Sequence, residues 1–322
     1  MSTQVVIIFP YSGFTKDDKR DELFWKMVDC CLREIKTQKP IIVLNRDTER
    51  RGKAKAFLDN PRSISDVVIH RCWAVDTCQM WLSGWGLVLD KLDESKVTDE
   101  DRIVQLPGDI DTVNSDVFFN ELGAFISRGG YDIVIGDFES EDMFSAKELI
   151  DLYGTYALMA NWFPDVAQAC RYDPGKNSEL AKSHRVPFKL NRFRSEFLNI
   201  RVGTLNSLLK VRKFAYEQTL NMLIRSWDEA NKDWKYNITK MNLGDISDDN
   251  SFRKYQDCLD QIERTERMLK LLWREIYESR YQNQQDFIDE YDQLDRRSTS
   301  IRENARIIIR NILGLAPRLE PE

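Results

Sequence analysis

Two aspartates two residues apart, Asp109 and Asp111, follow the apolar run Ile103 to Leu106 by way of Pro107 and Gly108. A glycine there lets the backbone turn sharply, and an extended Asp-x-Asp sends both carboxylates toward one side. Such a pair suits a hard divalent cation, Mg²⁺ or Mn²⁺, which keeps waters or substrate phosphates in its other positions. The same spacing also serves a turn or a helix cap, here ahead of the helical pattern Val113 to Ile126. Further acids, Asp137 and Glu139 with Glu141 and Asp142, come directly after the run Ile133 to Ile135. Arg192, Arg194 and Arg201 form a local basic patch, whose guanidinium groups can take a phosphate or carboxylate through paired hydrogen bonds.

These groups need a frame. Val5 to Phe9, Ile41 to Leu44, Val67 to Ile69, Ile103 to Leu106 and Ile133 to Ile135 are short apolar runs, with helical patterns such as Leu23 to Ile35 and Trp81 to Leu92 between them. Alternating strands and helices predict a doubly wound α/β sheet with parallel strands. Ligands of such sheets bind at the carboxyl ends of the strands, which places the loops Tyr11-Ser12-Gly13, Asn45-Arg46-Asp47, Gly108 to Asp111 and Gly136 to Glu139 at one edge. Trp81 and Trp85, four apart, read as core. Leu149 to Trp162 reads as a helix with Tyr153, Tyr156, Met159 and Trp162 on its packing side.

Beyond Ser251 the composition changes to charged residues alternating with Leu, Ile, Met, Tyr and Trp at helical spacing. Gln261 to Asp295 predicts one long amphipathic helix with Leu269, Leu272, Trp273, Ile276 and Tyr277 on its apolar face, and Ile301 to Leu313 a second helix. Residues 1–248 are therefore expected as the α/β domain and 249–322 as an all-helical extension that packs on it or joins copies of the chain, giving a monomer or a small homo-oligomer.

Composition narrows the function. The 42% hydrophobic residues among 322 can bury a real core, and 47 basic against 53 acidic residues give a net charge of -6, which argues against a nucleic-acid surface. The six cysteines contain no C-x-x-C pair and the two histidines are too scattered for a zinc cage. No apolar stretch reaches the ~18 residues of a membrane span, and the start of the chain lacks the marks of a signal peptide. A cytoplasmic protein with reduced thiols is expected, with peripheral attachment to a membrane left open.

Taken together, Phe9-Pro10-Tyr11, Leu44-Asn45-Arg46-Asp47 and Leu106-Pro107-Gly108-Asp109-Ile110-Asp111 resemble the nucleotide-sugar-binding half of a GT-A glycosyltransferase. Tyr131 to Asp137, Arg194 to Arg201 and Tyr216 to Arg225 resemble later blocks of family 2 enzymes of the dolichyl-phosphate mannose synthase type, so the likeness covers roughly residues 4–245. It implies a GT-A fold and sugar transfer from a nucleoside-diphosphate donor with Mg²⁺ or Mn²⁺, with inversion favoured. By this resemblance Asp109 and Asp111 hold the cation, Pro10, Tyr11, Asn45 and Asp47 line the base and ribose pocket together with Asp109, and His184 completes the metal site. Transfer to a neutral hydroxyl needs a base, for which Asp137 and Glu139 are the candidates, whereas an anionic acceptor needs none. The acceptor is left open as a small molecule, a glycan or a lipid phosphate.

The chain departs from the family at Val75-Asp76-Thr77-Cys78-Gln79-Met80, where a Gly-rich or Lys-bearing turn is usual, with Arg71 as a substitute. Two other readings compete. One is a non-catalytic assembly protein on a degenerate scaffold. The other is a sugar-phosphate nucleotidyltransferase, demoted because the G-x-G-T-R-like loop and its lysine are missing after the first strand.

Overall fold

The computed structural model of the chain describes residues 5–11, 13, 19–35, 38–75, 77–93, 96–108, 110, 115–139, 154–170, 190, 195–209, 218–245 and 255–312. Its strands are β1 (Val5–Tyr11), β2 (Ile41–Asn45), β3 (Val68–Cys72), β4 (Arg102–Gln105), β5 (Ile133–Glu139), β6 (Leu198–Arg201), β7 (Trp227–Asp228), β8 (Asp233–Trp234) and β9 (Ile238–Asp245). The helices are α1 (Lys19–Glu34), α2 (Arg46–Arg50), α3 (Lys55–Leu58), α4 (Pro61–Ser65), α5 (Thr77–Asp93), α6 (Ser115–Ile126), α7 (Tyr156–Trp162), α8 (Pro164–Cys170), α9 (Val202–Leu209), α10 (Gln218–Ser226), α11 (Tyr255–Tyr277) and α12 (Gln284–Ile312).

The central strands are unbroken apolar runs because both of their faces are covered. Ile7, Phe9, Ile42, Leu44, Val104 and Val134 pack under α1, α3 and α6. Their alternating neighbours Val6, Ile8, Ile41, Val43, Ile103 and Ile135 pack under α5 and the later helices. Trp81 and Trp85 of α5 are buried against this second face, each worth about 2–3 kcal/mol of apolar burial.

Seven strands form one sheet in the order β3-β2-β1-β4-β6-β5-β9. All run parallel except β6, which is antiparallel to both β4 and β5. The expected doubly wound, mostly parallel sheet is thus present, with one reversed strand that the apolar runs did not announce. Asn199 supports that strand: its amide donates to the Phe125 carbonyl at 2.7 Å, and its Oδ1 accepts from Arg102 Nε at 2.5 Å.

The C-terminal region is an antiparallel helical pair, and here the expected single helix over Gln261 to Asp295 is corrected. The helix stops at Tyr277, passes through a short 3-10 turn over Glu278–Arg280, and a new helix runs from Gln284 to Ile312, absorbing the expected second one. Asn283 starts it, its Oδ1 accepting the Gln285 N–H at 2.9 Å. Leu269, Leu272 and Trp273 of the predicted stripe are buried in the same core cluster as the sheet face, with Ile276 and Tyr277 partly buried against it.

A buried polar network fixes the register of this seam. Glu266, 2% exposed, accepts from Ser298 Oγ at 2.9 Å and Arg302 Nη1 at 2.8 Å and pairs with Lys270 at 2.9 Å. Ser298 in turn accepts the indole N–H of Trp162 at 3.1 Å, which ties both tail helices to α7. A carboxylate this deeply buried persists only with such complete pairing.

Candidate functional site

The order of the strands reverses between β1 and β4: β2 and β3 lie on one side, β6 and its successors on the other. Such a reversal opens a crevice beyond the carboxyl ends, because the connections leave to opposite faces. The two strand exits are clamped together. Leu106 N–H donates to the Ile8 carbonyl at 3.0 Å, and a Cβ on Gly108 would collide with the Pro10 carbonyl, so only glycine fits. Asp109 and Asp111 continue from this point but lie outside the described residues, as do His184, Arg192 and Arg194. Among the described residues, no group of three or more His, Cys, Asp or Glu could hold a metal.

The other donor-edge residues sit where the sequence placed them, at the ends of β1 and β2, but several are occupied by the fold itself. Tyr11 is fully buried, stacked on Phe57 at 4.4 Å and edge-on to Phe24 at 5.8 Å, so its ring belongs to the core and not to a pocket wall. Asn45 uses both ends of its amide: Oδ1 caps α2 by accepting Asp47 N–H at 3.0 Å, and Nδ2 donates to the Ala74 carbonyl at 2.6 Å. Asp47 answers Arg50 and Arg51, each at 2.7 Å. Arg71 pairs with Glu49 at 3.0 Å, bridging β3 to α2.

These pairs reveal a basic patch that the sequence reading passed over. Arg46, Arg50, Arg51, Lys53 and Arg71 surround α2 with only Asp47 and Glu49 opposing them, and Arg46 and Lys53 have no ion pair among the described residues. Gly13, just after β1, comes close to this patch. At φ +89° it lies so near the Lys53 backbone and Thr48 that an added Cβ would stand 3.1 Å from the Lys53 carbonyl. The signal was present as the run Arg46-Asp47-Thr48-Glu49-Arg50-Arg51-Gly52-Lys53, directly after a strand.

Asp137 stands near the carboxyl end of β5, 1% exposed, with Lys240 Nζ at 2.7 Å. Its carboxylate is buried and already answered by a cation. Glu139 ends the same strand, in register with Asp245, while Glu141 and Asp142 lie outside the described residues.

Arg201 is a correction. It was grouped with Arg192 and Arg194 as a phosphate ligand, yet it ends the reversed strand and pairs in register with Arg102, the first residue of β4. That puts it at the amino edge of the sheet, across the molecule from Gly108. There its Nη1 bonds Asp132 at 2.7 Å and its Nη2 bonds Glu100. The bond to Asp132 holds its guanidinium above the usual arginine range. Arg102 beside it is buried and donates to Asn199 and to the Tyr131 carbonyl. Burial, with the like charge of Arg201 adding to it, pulls Arg102 down to about 10.

A cavity of about 830 Å³ lies elsewhere, between the β7–β8 hairpin, α8 and the end of α11. It is lined by Arg225, Trp227, Lys232, Glu275 and Arg280 among others, and by none of the catalytic, donor, acceptor or metal residues expected from the sequence.

No family profile matches the chain, and no curated protein matches it in sequence. In structure it is similar to mannosyl-3-phosphoglycerate synthase from Rubrobacter xylanophilus, with a TM-score of 0.50 at 10% identity, covering 87% of this chain and 76% of that one. Glucosyl-3-phosphoglycerate synthase from Mycobacterium tuberculosis, in complex with phosphoglyceric acid, gives 0.48 at 14% identity over 84% of this chain and 79% of that one. At such identities the likeness speaks for the fold alone. The fold is GT-A-like, a mostly parallel seven-stranded sheet with helices and a helical C-terminal region.

Proposed function

We propose that the chain is a glycosyltransferase that moves a sugar from a nucleoside-diphosphate donor to an acceptor, with Mg²⁺ or Mn²⁺ on the diphosphate, in the manner of the family 2 enzymes its sequence blocks resemble. The observation that carries the proposal is the close approach of Pro10 and Gly108 at the reversal of strand order, Gly108 being the residue directly before the Asp109-Ile110-Asp111 stretch of the sequence.

In this reading Asp109 and Asp111 hold the cation, since two carboxylates after a tight turn are the oxygen donors a hard ion takes. When bound, the cation offsets negative charge on the departing diphosphate. The cationic patch around α2, where Arg46 and Lys53 have no ion pair among the described residues, draws the anionic donor toward the same edge. Of the two candidate bases for a hydroxyl acceptor Glu139 takes the role, since Asp137 is buried and paired with Lys240, and Arg192 and Arg194 hold a charged acceptor group. Arg201 drops out of that role.

The engagement of Tyr11, Asn45 and Asp47 within the fold favours a second reading, a scaffold that has lost its donor pocket. Binding separates the two. The enzyme reading expects one nucleoside diphosphate to raise the melting temperature of the whole chain only with Mn²⁺, since a ligand of the native state stabilises it by mass action. The scaffold reading expects no shift from any nucleotide.

A further inference from the structure

A tryptophan held out in water by a braced loop presents a rigid aromatic face on which a planar ligand can stack. Trp73 is 67% exposed and Val75 88% exposed. They flank Ala74 in the segment that leaves β3 for α5. The segment is not slack: Asn45 Nδ2 holds the Ala74 carbonyl at 2.6 Å, and Gln79 Oε1 accepts the Val75 N–H at 2.9 Å. Asn45 is in turn fixed to α2 through Asp47 N–H. A side-chain amide from the neighbouring strand end therefore braces the loop on which Trp73 stands.

Its position along the edge is as informative as its exposure. From the Pro10–Gly108 clamp, the strand ends follow in the order β4, β1, β2, β3. Three strand spacings separate β4 from β3, roughly 14 Å, which is the scale of an extended nucleoside diphosphate. A diphosphate anchored beyond β4 and β1, with its ribose passing the β2 end, would bring its base to the end of β3. The groups there are the indole of Trp73 and the Arg71–Glu49 bridge. An aromatic face stacks on any base without demanding a hydrogen-bonding pattern.

We propose that Trp73 is the stacking platform for the nucleobase of the donor and that Asn45 is a positioning residue that holds the platform, taking over from Tyr11, whose ring is spent in the core. The inference rests on the donor-site reading above. It gives Asn45 a role through Ala74 in place of direct contact with the base.

The experiment uses the full chain with Mn²⁺ and titrates UDP, GDP, ADP, CDP and dTDP by calorimetry and tryptophan fluorescence, with inorganic pyrophosphate as the base-free probe. Wild type is compared with Trp73→Ala and Trp73→Phe. The nucleotide that binds wild type is expected to quench its fluorescence and to bind Trp73→Ala about ten- to a hundredfold more weakly. The same nucleotide should bind Trp73→Phe nearly as tightly as wild type, with the quench lost. Pyrophosphate affinity should be the same for all three proteins. A nucleotide that binds Trp73→Ala as tightly as wild type overturns the platform while leaving the donor site standing. If no nucleotide binds wild type, the platform and the donor reading both fall.

Discussion

The seam between the sheet and the tail helices and the carboxyl edge of the sheet treat charge in opposite ways. At the seam Glu266 has three partners, and Arg225 meets Glu275 in two bonds of 3.1 and 3.2 Å. At the carboxyl edge Arg46 and Lys53 carry no ion pair among the described residues, and Trp73 and Val75 stand in solvent. Groups that complete one another inside the chain serve the fold. Those left incomplete on a braced surface are available to something else. The amino edge belongs with the seam, since Arg102 and Arg201 find their partners in Asn199, Asp132 and Glu100.

That division makes graded predictions. Glu266→Ala removes the carboxylate shared by Lys270, Arg302 and Ser298, leaving Lys270 with Asp295 and Arg302 with Glu303; a buried pair broken on one side costs about 3–5 kcal/mol, and these remaining partners, with the partial exposure of both cations, put this one at about 3 kcal/mol. Urea unfolding should show the loss, with nucleotide affinity of the surviving folded protein unchanged. Arg102→Met at the amino edge leaves the Asn199 Oδ1 without its donor and should cost about 1–3 kcal/mol, again without touching nucleotide binding. The double variant Arg46→Ala, Lys53→Ala should do the reverse. Its stability should stay within about 0.5 kcal/mol of wild type, while nucleotide affinity drops several-fold and becomes less sensitive to salt. Loss of nucleotide binding in Arg102→Met, or none in the double variant, would erase the distinction between the regions.

Much of this was legible in the sequence, and the failures have physical causes. Parallel strands announce themselves, because burial on both faces demands unbroken runs such as Val6-Ile7-Ile8-Phe9. The reversed strand does not: Leu198–Arg201 is four residues long, and hydrogen bonds from Asn199 to the end of α6 at Phe125 and to Arg128 beyond it help set it. That single reversal carried Arg201 to the wrong edge of the expected site. The break between the tail helices was hidden for a similar reason, since neither Gly nor Pro marks it and Asn283 makes the cap. At the site, strand ends and the Asp-x-Asp spacing could be read directly. Whether Tyr11 faces a ligand or the core depends on Phe57 and Phe24, and how the Trp73 loop is held depends on Asn45, which only the folded chain brings near.

The proposal turns on Asp109 and Asp111, which follow Gly108 in the sequence, holding a cation for a nucleoside-diphosphate donor. Its most direct test is the melting temperature of wild type and Asp111→Ala against the five nucleoside diphosphates, with and without Mn²⁺. The account predicts that one nucleotide stabilises wild type only with Mn²⁺ and that Asp111→Ala, equally stable alone, shows no shift. An equal metal-dependent shift in Asp111→Ala, or none in wild type, would contradict it.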